Sequence, residues 1–237
     1  TGVPPTLNEI DNFINDNDAN AYEKGVDRLL STDAHAERLA LEWLDLARYA
    51  DSHGHHSDGL KTIWPWRDWV INAFKDNKPY DEFVSEQLAG DLMPNATKNQ
   101  IIATAFNRNH PTNAESGIVD EEYRLEYVAN RTNTLGTAFL GLTVECARCH
   151  NHKFDPISQK EYYQLSAFFN NIKELGMTGN DGDFGPMVLL SNKAQDTKIS
   201  ELNFKISDWE TSYRFEKTEI ESISSFVEGN EFEKIKP

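Results

Sequence analysis

Cysteine is almost missing from this chain. Its 237 residues include two, Cys146 and Cys149, and both lie in one short stretch. That excludes a disulfide-stapled scaffold. Positive charge is also scarce: 23 Lys and Arg against 39 Asp and Glu leave a formal net charge of −16. Such a surface repels polyanions, so nucleic acid and anionic lipid are poor partners and a basic redox protein is a good one. No apolar run approaches the roughly 20 residues that cross a bilayer, so no membrane span is expected. No repeat of solenoid period occurs. Thr1 stands where an initiating Met would, which suggests a processed protein or a piece of a longer one. What remains is ordinary for a globular protein, with 38% hydrophobic and 26% charged residues, enough for one large domain or two small ones.

The two cysteines open the most informative stretch, Glu145-Cys-Ala-Arg-Cys-His-Asn-His152. C-x-x-C-H is the attachment pattern of c-type haem. Two thiols add across the two vinyl groups, and the next residue, His150, supplies the proximal imidazole. Other readings compete. His150 and His152 would complete a Cys₂His₂ zinc set, although structural zinc usually draws on two separated pairs. A C-x-x-C pair also serves as a small disulfide or redox pair, but that motif normally follows a strand. Here a helix is expected before it.

The chain reads as mostly α, a single helical domain around the C-x-x-C-H motif with a long C-terminal helix. Short helices are expected over 8–15 and 21–30. A wide apolar arc makes 34–50 central, capped by Asp33. Pro65 opens the next helix, whose Trp66 and Trp69 read as core. Asp81 caps 82–89, and Thr97 with Gln100 forms a capping box ahead of 101–109. The longest helix is expected over 120–145, its small residues Gly136, Ala138 and Gly141 admitting a flat macrocycle or another backbone. Ser158 and Glu161 form a second capping box. Residues 176–187 hold an incomplete calcium-loop pattern and read as plain loop. Met187–Leu190 reads as a short strand. From Ile199 an apolar seam through Leu202, Ile206, Trp209, Tyr213 and Ile220 marks a helix over 195–227, expected to be buried against the rest of the protein or a further domain. The domains are therefore 1–175, a Gly-rich linker 176–194, and 195–237.

Two loops stand out. Asp51–Asp58 carries His53, His55 and His56, and Arg108–Glu115 carries His110. Both lie at helix ends, where a rigid scaffold presents them.

Several long segments carry a resemblance. Trp43-Leu-Asp-Leu-Ala-Arg-Tyr-Ala-Asp-Ser52, Trp66-Arg-Asp-Trp-Val-Ile71, Glu86-Gln-Leu-Ala-Gly-Asp-Leu92, Phe106-Asn-Arg-Asn109, Leu140-Gly-Leu-Thr143, Cys146-Ala-Arg-Cys-His150 and His152-Lys-Phe-Asp-Pro-Ile-Ser-Gln-Lys-Glu-Tyr-Tyr-Gln-Leu165 closely resemble the planctomycete cytochrome-like family, whose domain is DUF1549 or PSCyt2. The resemblance implies a covalent haem c on Cys146, Cys149 and His150, with His152 nearby. It also implies export to the periplasm or cell surface and a following DUF1553 (PSD1) domain. It supplies no activity.

Candidates for the distal side of the iron are His53, His55, His56, His110, His152, Met93 and Met177. His110 is preferred as ligand, and Asp51, His55, Arg108 and His110 are the catalytic candidates. The two loops are expected to meet on the distal face. The expected function is electron transfer to a redox partner protein or domain. A haem-dependent oxidoreductase acting on a small oxidant or carbohydrate is the first alternative. A zinc- or disulfide-stabilised interaction module is the second.

Overall fold

A computed structural model describes residues 1–55, 58–177 and 187–231, with side chains up to Glu221. The described residues are mostly helical, and their β-pairing is confined to isolated bridges. The chain forms two compact units, Thr1–Val188 and Leu189–Pro237.

The first unit begins with α1 (Leu7–Asn15) and α2 (Ala21–Leu30), neither of which buries a residue. Thr6 and Glu9 form a reciprocal capping box that starts α1. Arg28 of α2 pairs with the same Glu9 at 2.7 Å. α3 (Asp33–Leu46) is capped by Thr32 rather than Asp33, since the Thr32 hydroxyl accepts the His35 amide. α3 also stops short of the expected residue 50. Arg48 takes a left-handed backbone, φ 63°, which no helix can continue through.

α4 (Trp64–Lys75) opens with Pro65 in its first turn, where the missing N–H is not needed. α5 (Tyr80–Ala89) follows. The core lies where α3, α4 and α5 meet: Ala40, Trp43 and Ala47 against Trp66, Trp69 and Val70, closed by Phe83 and Phe106. The alanines let α3 approach α4 while the aromatic rings interlock. Trp43 meets Phe83 edge-on at 5.0 Å, and Trp69 stacks on Phe83 at 5.4 Å. Burying Val70 alone contributes about 1.5–3 kcal/mol, and each aromatic pair about 0.5–1.5 kcal/mol more. The Trp43 indole donates to buried Gln87 at 3.0 Å, and Gln87 donates back to the Phe83 carbonyl. Of the Trp64–Trp69 cluster, Trp66 and Trp69 are core and Trp64 is exposed.

The Thr97–Gln100 capping box starts α6 (Lys98–Ala103), which tightens into a 3₁₀ stretch over Thr104–Arg108. α7 (Asp120–Leu135) is shorter than the expected 120–145. It loosens into a π-helical turn at Gly136–Leu140 and ends at Gly141, φ 63°. The chain then folds back on itself. Leu142 N–H bonds to the Gly136 carbonyl at 3.0 Å. A Cβ on Gly136 would lie 2.7 Å from Val144 Cγ2. Gly136 thus admits the chain's own returning segment, Leu142–Val144, while Gly141 meets nothing within 4 Å. α8 (Gln159–Ser166) starts at the Ser158–Glu161 capping box.

The second unit holds α9 (Lys193–Glu231), which begins where Asn192 and Gln195 bond reciprocally. Along it the side chains of Leu202, Ile206, Trp209, Tyr213 and Ile220 are exposed. Met187–Leu190 carries no strand pairing. Most of the calcium-like pattern, residues 178–186, lies outside the described residues.

Candidate functional site

The cysteines belong to a 3₁₀ turn, Val144–Arg148, with Cys149 as its cap. Side chains three apart eclipse in such a turn, so it presents three faces. Val144 and Ala147 form the buried face and pack on Tyr162 of α8. Glu145 and Arg148 form a second face and line a cleft of about 520 Å³. Cys146 and Cys149 form the third, and both are exposed free thiols. The turn is held firmly. The Arg148 carbonyl accepts from Gln159 Nε2 at 3.0 Å and from the Tyr163 hydroxyl at 3.1 Å. The Arg148 guanidinium pairs two-pronged with Glu126 of α7. That bond holds the Glu126 carboxyl below its ordinary value and raises the guanidinium.

His150 is exposed, and its Nδ1 lies 2.7 Å from the Asn151 carbonyl. A carbonyl can only accept, so Nδ1 carries the proton and the lone pair is on Nε2. A metal-binding imidazole is usually prepared this way. His152 is turned inward. Its Nδ1 accepts the backbone amides of Asp155 at 2.8 Å and Phe154 at 3.3 Å, which braces the turn after the motif. Among the described residues no three His, Cys, Asp or Glu side chains form a metal-binding group.

The two histidine-bearing loops do meet. Gly54 bridges to Thr112 in parallel. Thr112 N–H donates to the His53 carbonyl at 2.8 Å, and His53 Nδ1 lies 2.6 Å from the Thr112 hydroxyl. Lys61 links the two loops: its backbone amide donates to the Asp51 carbonyl at 2.9 Å, and its Nζ donates to the carbonyls of Arg108 at 2.5 Å and His110 at 3.0 Å. Burial, helped by Arg108 and Arg131 nearby, lowers Lys61 to about 7. His110 stacks on Tyr127 at 4.6 Å. Its Nδ1 faces the Pro111 carbonyl at 3.0 Å and its Nε2 faces Arg131 Nη2 at 2.7 Å. Nδ1 therefore holds the proton, and the Nε2 lone pair is spent on Arg131. Burial first and Arg131 second push His110 well below its ordinary value. Arg131 completes the group with a buried two-pronged pair to Glu174.

These loops and the motif rest on different faces of α7. Arg131 anchors the loops and Glu126 anchors the motif, five residues away. At about 100° per residue they lie about 140° apart around the helix. Of the other candidates, Asp51 accepts the Tyr49 hydroxyl at 2.5 Å, and His55 is exposed. Met93 Sδ accepts from Gln100 at 3.3 Å. Met177 bridges to Asn113 and donates its amide to Asp120. His56 lies outside the described residues. Lys61, Arg131 and Glu174 escaped the sequence reading. Arg131 carried a usable signal, as a cation amid the buried run of Tyr127, Val128, Ala129 and Thr132.

Residues 1–174 match the family described as PSCyt2, protein of unknown function (DUF1549). The chain belongs to the DUF1549 family. No curated protein and no solved structure matches it. The DUF1549 match covers the helices α1 to α8, including the motif turn and both histidine loops, and ends before α9. No described helix is long and apolar enough to cross a membrane.

Proposed function

We propose that this DUF1549 chain is an exported c-type cytochrome domain that carries one covalent haem and passes electrons within a larger protein. The observation that carries the reading is the motif's geometry. Two free thiols share one exposed face of a braced turn, and the adjoining His150 directs its lone pair to Nε2. These residues fit the group: Cys146 and Cys149 would hold it by thioether bonds, and His150 Nε2 would ligate the iron. Bound haem would supply one-electron redox chemistry. The chain's own part is positioning. Val144 and Ala147 seat the turn, Gln159 and Tyr163 fix its carbonyl, and the Asn151 carbonyl fixes the His150 tautomer. The acidic surface favours a basic partner. Placement outside the cytoplasm and a following DUF1553 domain come from the family resemblance.

A second reading is a haem-dependent oxidoreductase. It is favoured by His110, whose lone pair is committed to Arg131 on another face of α7. A sixth ligand from that residue would need the buried pair with Arg131 to break. Carbon monoxide added to the reduced protein separates the two readings. Rapid binding indicates an open coordination position and supports the oxidoreductase. A six-coordinate spectrum unmoved by carbon monoxide supports electron transfer.

A further inference from the structure

Along α9 an apolar stripe is exposed. Ile199, Leu202, Ile206, Trp209, Tyr213, Glu216 and Ile220 step alternately by three and four. At about 100° per residue these positions share one arc of roughly 100°. Spacing of that kind makes the seam of a two-stranded coiled coil. From Leu202 to Ile220 every seam residue is exposed.

The stripe is self-complementary about its centre. Trp209 and Tyr213 stack into one platform, their rings 6.1 Å apart and 7° from parallel. Consider a second α9 laid antiparallel, with the twofold axis level with Thr211. Trp209 then faces Tyr213 of the second copy, and Leu202 faces Ile220 of the second copy. The flanks match in charge. Lys198 comes beside Glu219 of the second copy and Glu210 beside Lys217 of the second copy, and symmetry makes each pair twice. Lys198 and Lys217 also reach Glu201 and Glu221 on their own helix, at 2.9 and 3.9 Å. Those contacts are solvent-exposed and exchange at little cost. A parallel pair in register fits worse. It sets Glu216 against Glu216 in the seam and keeps one kind of attractive flank pair, Lys205 with Glu210.

We propose that α9 is a dimerisation helix, paired antiparallel with α9 of a second copy along the Leu202–Ile220 seam. The haem reading plays no part in this, since α9 lies beyond the residues that match the DUF1549 family. The seam is short for a coiled coil, so the dimer depends on protein concentration. Glu216 meets Ile206 of the second copy across the seam. A charge beside an apolar side chain there holds the affinity down.

Sedimentation of the full chain over about 1–100 μM tests it. The expected result is a monomer–dimer equilibrium. Ile206→Asp places a charge in the seam and should leave only monomer across that range. Phe204→Asp, on the opposite side of α9, should leave the equilibrium unchanged. Glu216→Leu should tighten the dimer about tenfold or more. Charge swaps read the orientation. Glu210→Lys and Lys217→Glu should each weaken the dimer about two- to tenfold, and the two together in one chain should restore it. A chain that stays monomeric at every concentration overturns the proposal and leaves the stripe to another part of the protein. So does a dimer that survives Ile206→Asp, or one that the double swap fails to restore.

Discussion

His150 and His110 are both imidazoles protonated on Nδ1 and bonded to a backbone carbonyl, yet their second nitrogens differ. The Nε2 of His150 belongs to an exposed side chain, while that of His110 is buried against Arg131. The account therefore assigns iron ligation to His150. In haem-loaded protein, His150→Ala should leave both thioether bonds possible but shift the Soret band and spin state. An unchanged spectrum would contradict the assignment. Arg131 has the structural part. Arg131→Met would strand buried Glu174 and remove the donor to His110. Breaking a buried pair from one side costs about 3–5 kcal/mol. Urea unfolding should show a loss of that order, and a loss below about 1 kcal/mol would mean the pair is solvent-screened.

At the scale of elements, local chemistry was legible where it was self-contained. The capping boxes at Thr97–Gln100 and Ser158–Glu161 were readable because both partners lie within one turn. Contact between the two histidine loops was expected from composition, but on the distal face of the haem. The loops do touch, at Gly54 and Thr112, and they rest on a different face of α7 from the motif. The ends of α3 and α7 were not. Apolar periodicity continues past Leu46, but a left-handed turn at Arg48 closes the helix: Tyr49 N–H bonds back to the Leu44 carbonyl at 2.9 Å and the Arg48 side chain reaches Asn130. Periodicity likewise continues past Leu135, but Val144 and Leu142 return to pack on Gly136. Two substitutions check this. Gly141 meets nothing within 4 Å, so Gly141→Ala should cost only the left-handed backbone term, about 1–2 kcal/mol. Gly136→Ala must displace Val144, the buried seat of the motif turn, at an overpacking cost of about 1–3 kcal/mol. In haem-loaded protein it should also perturb the Soret band, whereas Gly141→Ala should not. Equal optical effects from the two would contradict the role given to Val144. The partition of the 3₁₀ turn into core, cleft and thiol faces was not read from the sequence, because the helix was expected to run to residue 145 and the motif's own backbone was assigned no regular form.

At the scale of the whole molecule, acid should loosen the junction of the two loops. Lys61 is lowered from 10.5 to about 7. The unfolded chain therefore binds its proton more readily between those values, and stability from this group rises with pH across that window. His110 is lowered well below 6.5. It stays neutral when folded while the unfolded chain gains a proton below 6.5, so stability falls as pH drops there. Urea unfolding from pH 6 to 10 should show a rise that Lys61→Met flattens. An unchanged slope in that variant would mean Lys61 titrates normally.

The net charge of −16 and the exposed thiol face are properties that a basic redox partner would use together. The central claim is that those thiols carry haem. The most direct measurement is the intact mass of the protein produced with cytochrome c maturation machinery. The account predicts the apo mass plus one haem, stable to denaturation, and lost when Cys146 and Cys149 are both replaced by alanine. An unmodified mass under those conditions, with or without bound zinc, would contradict it.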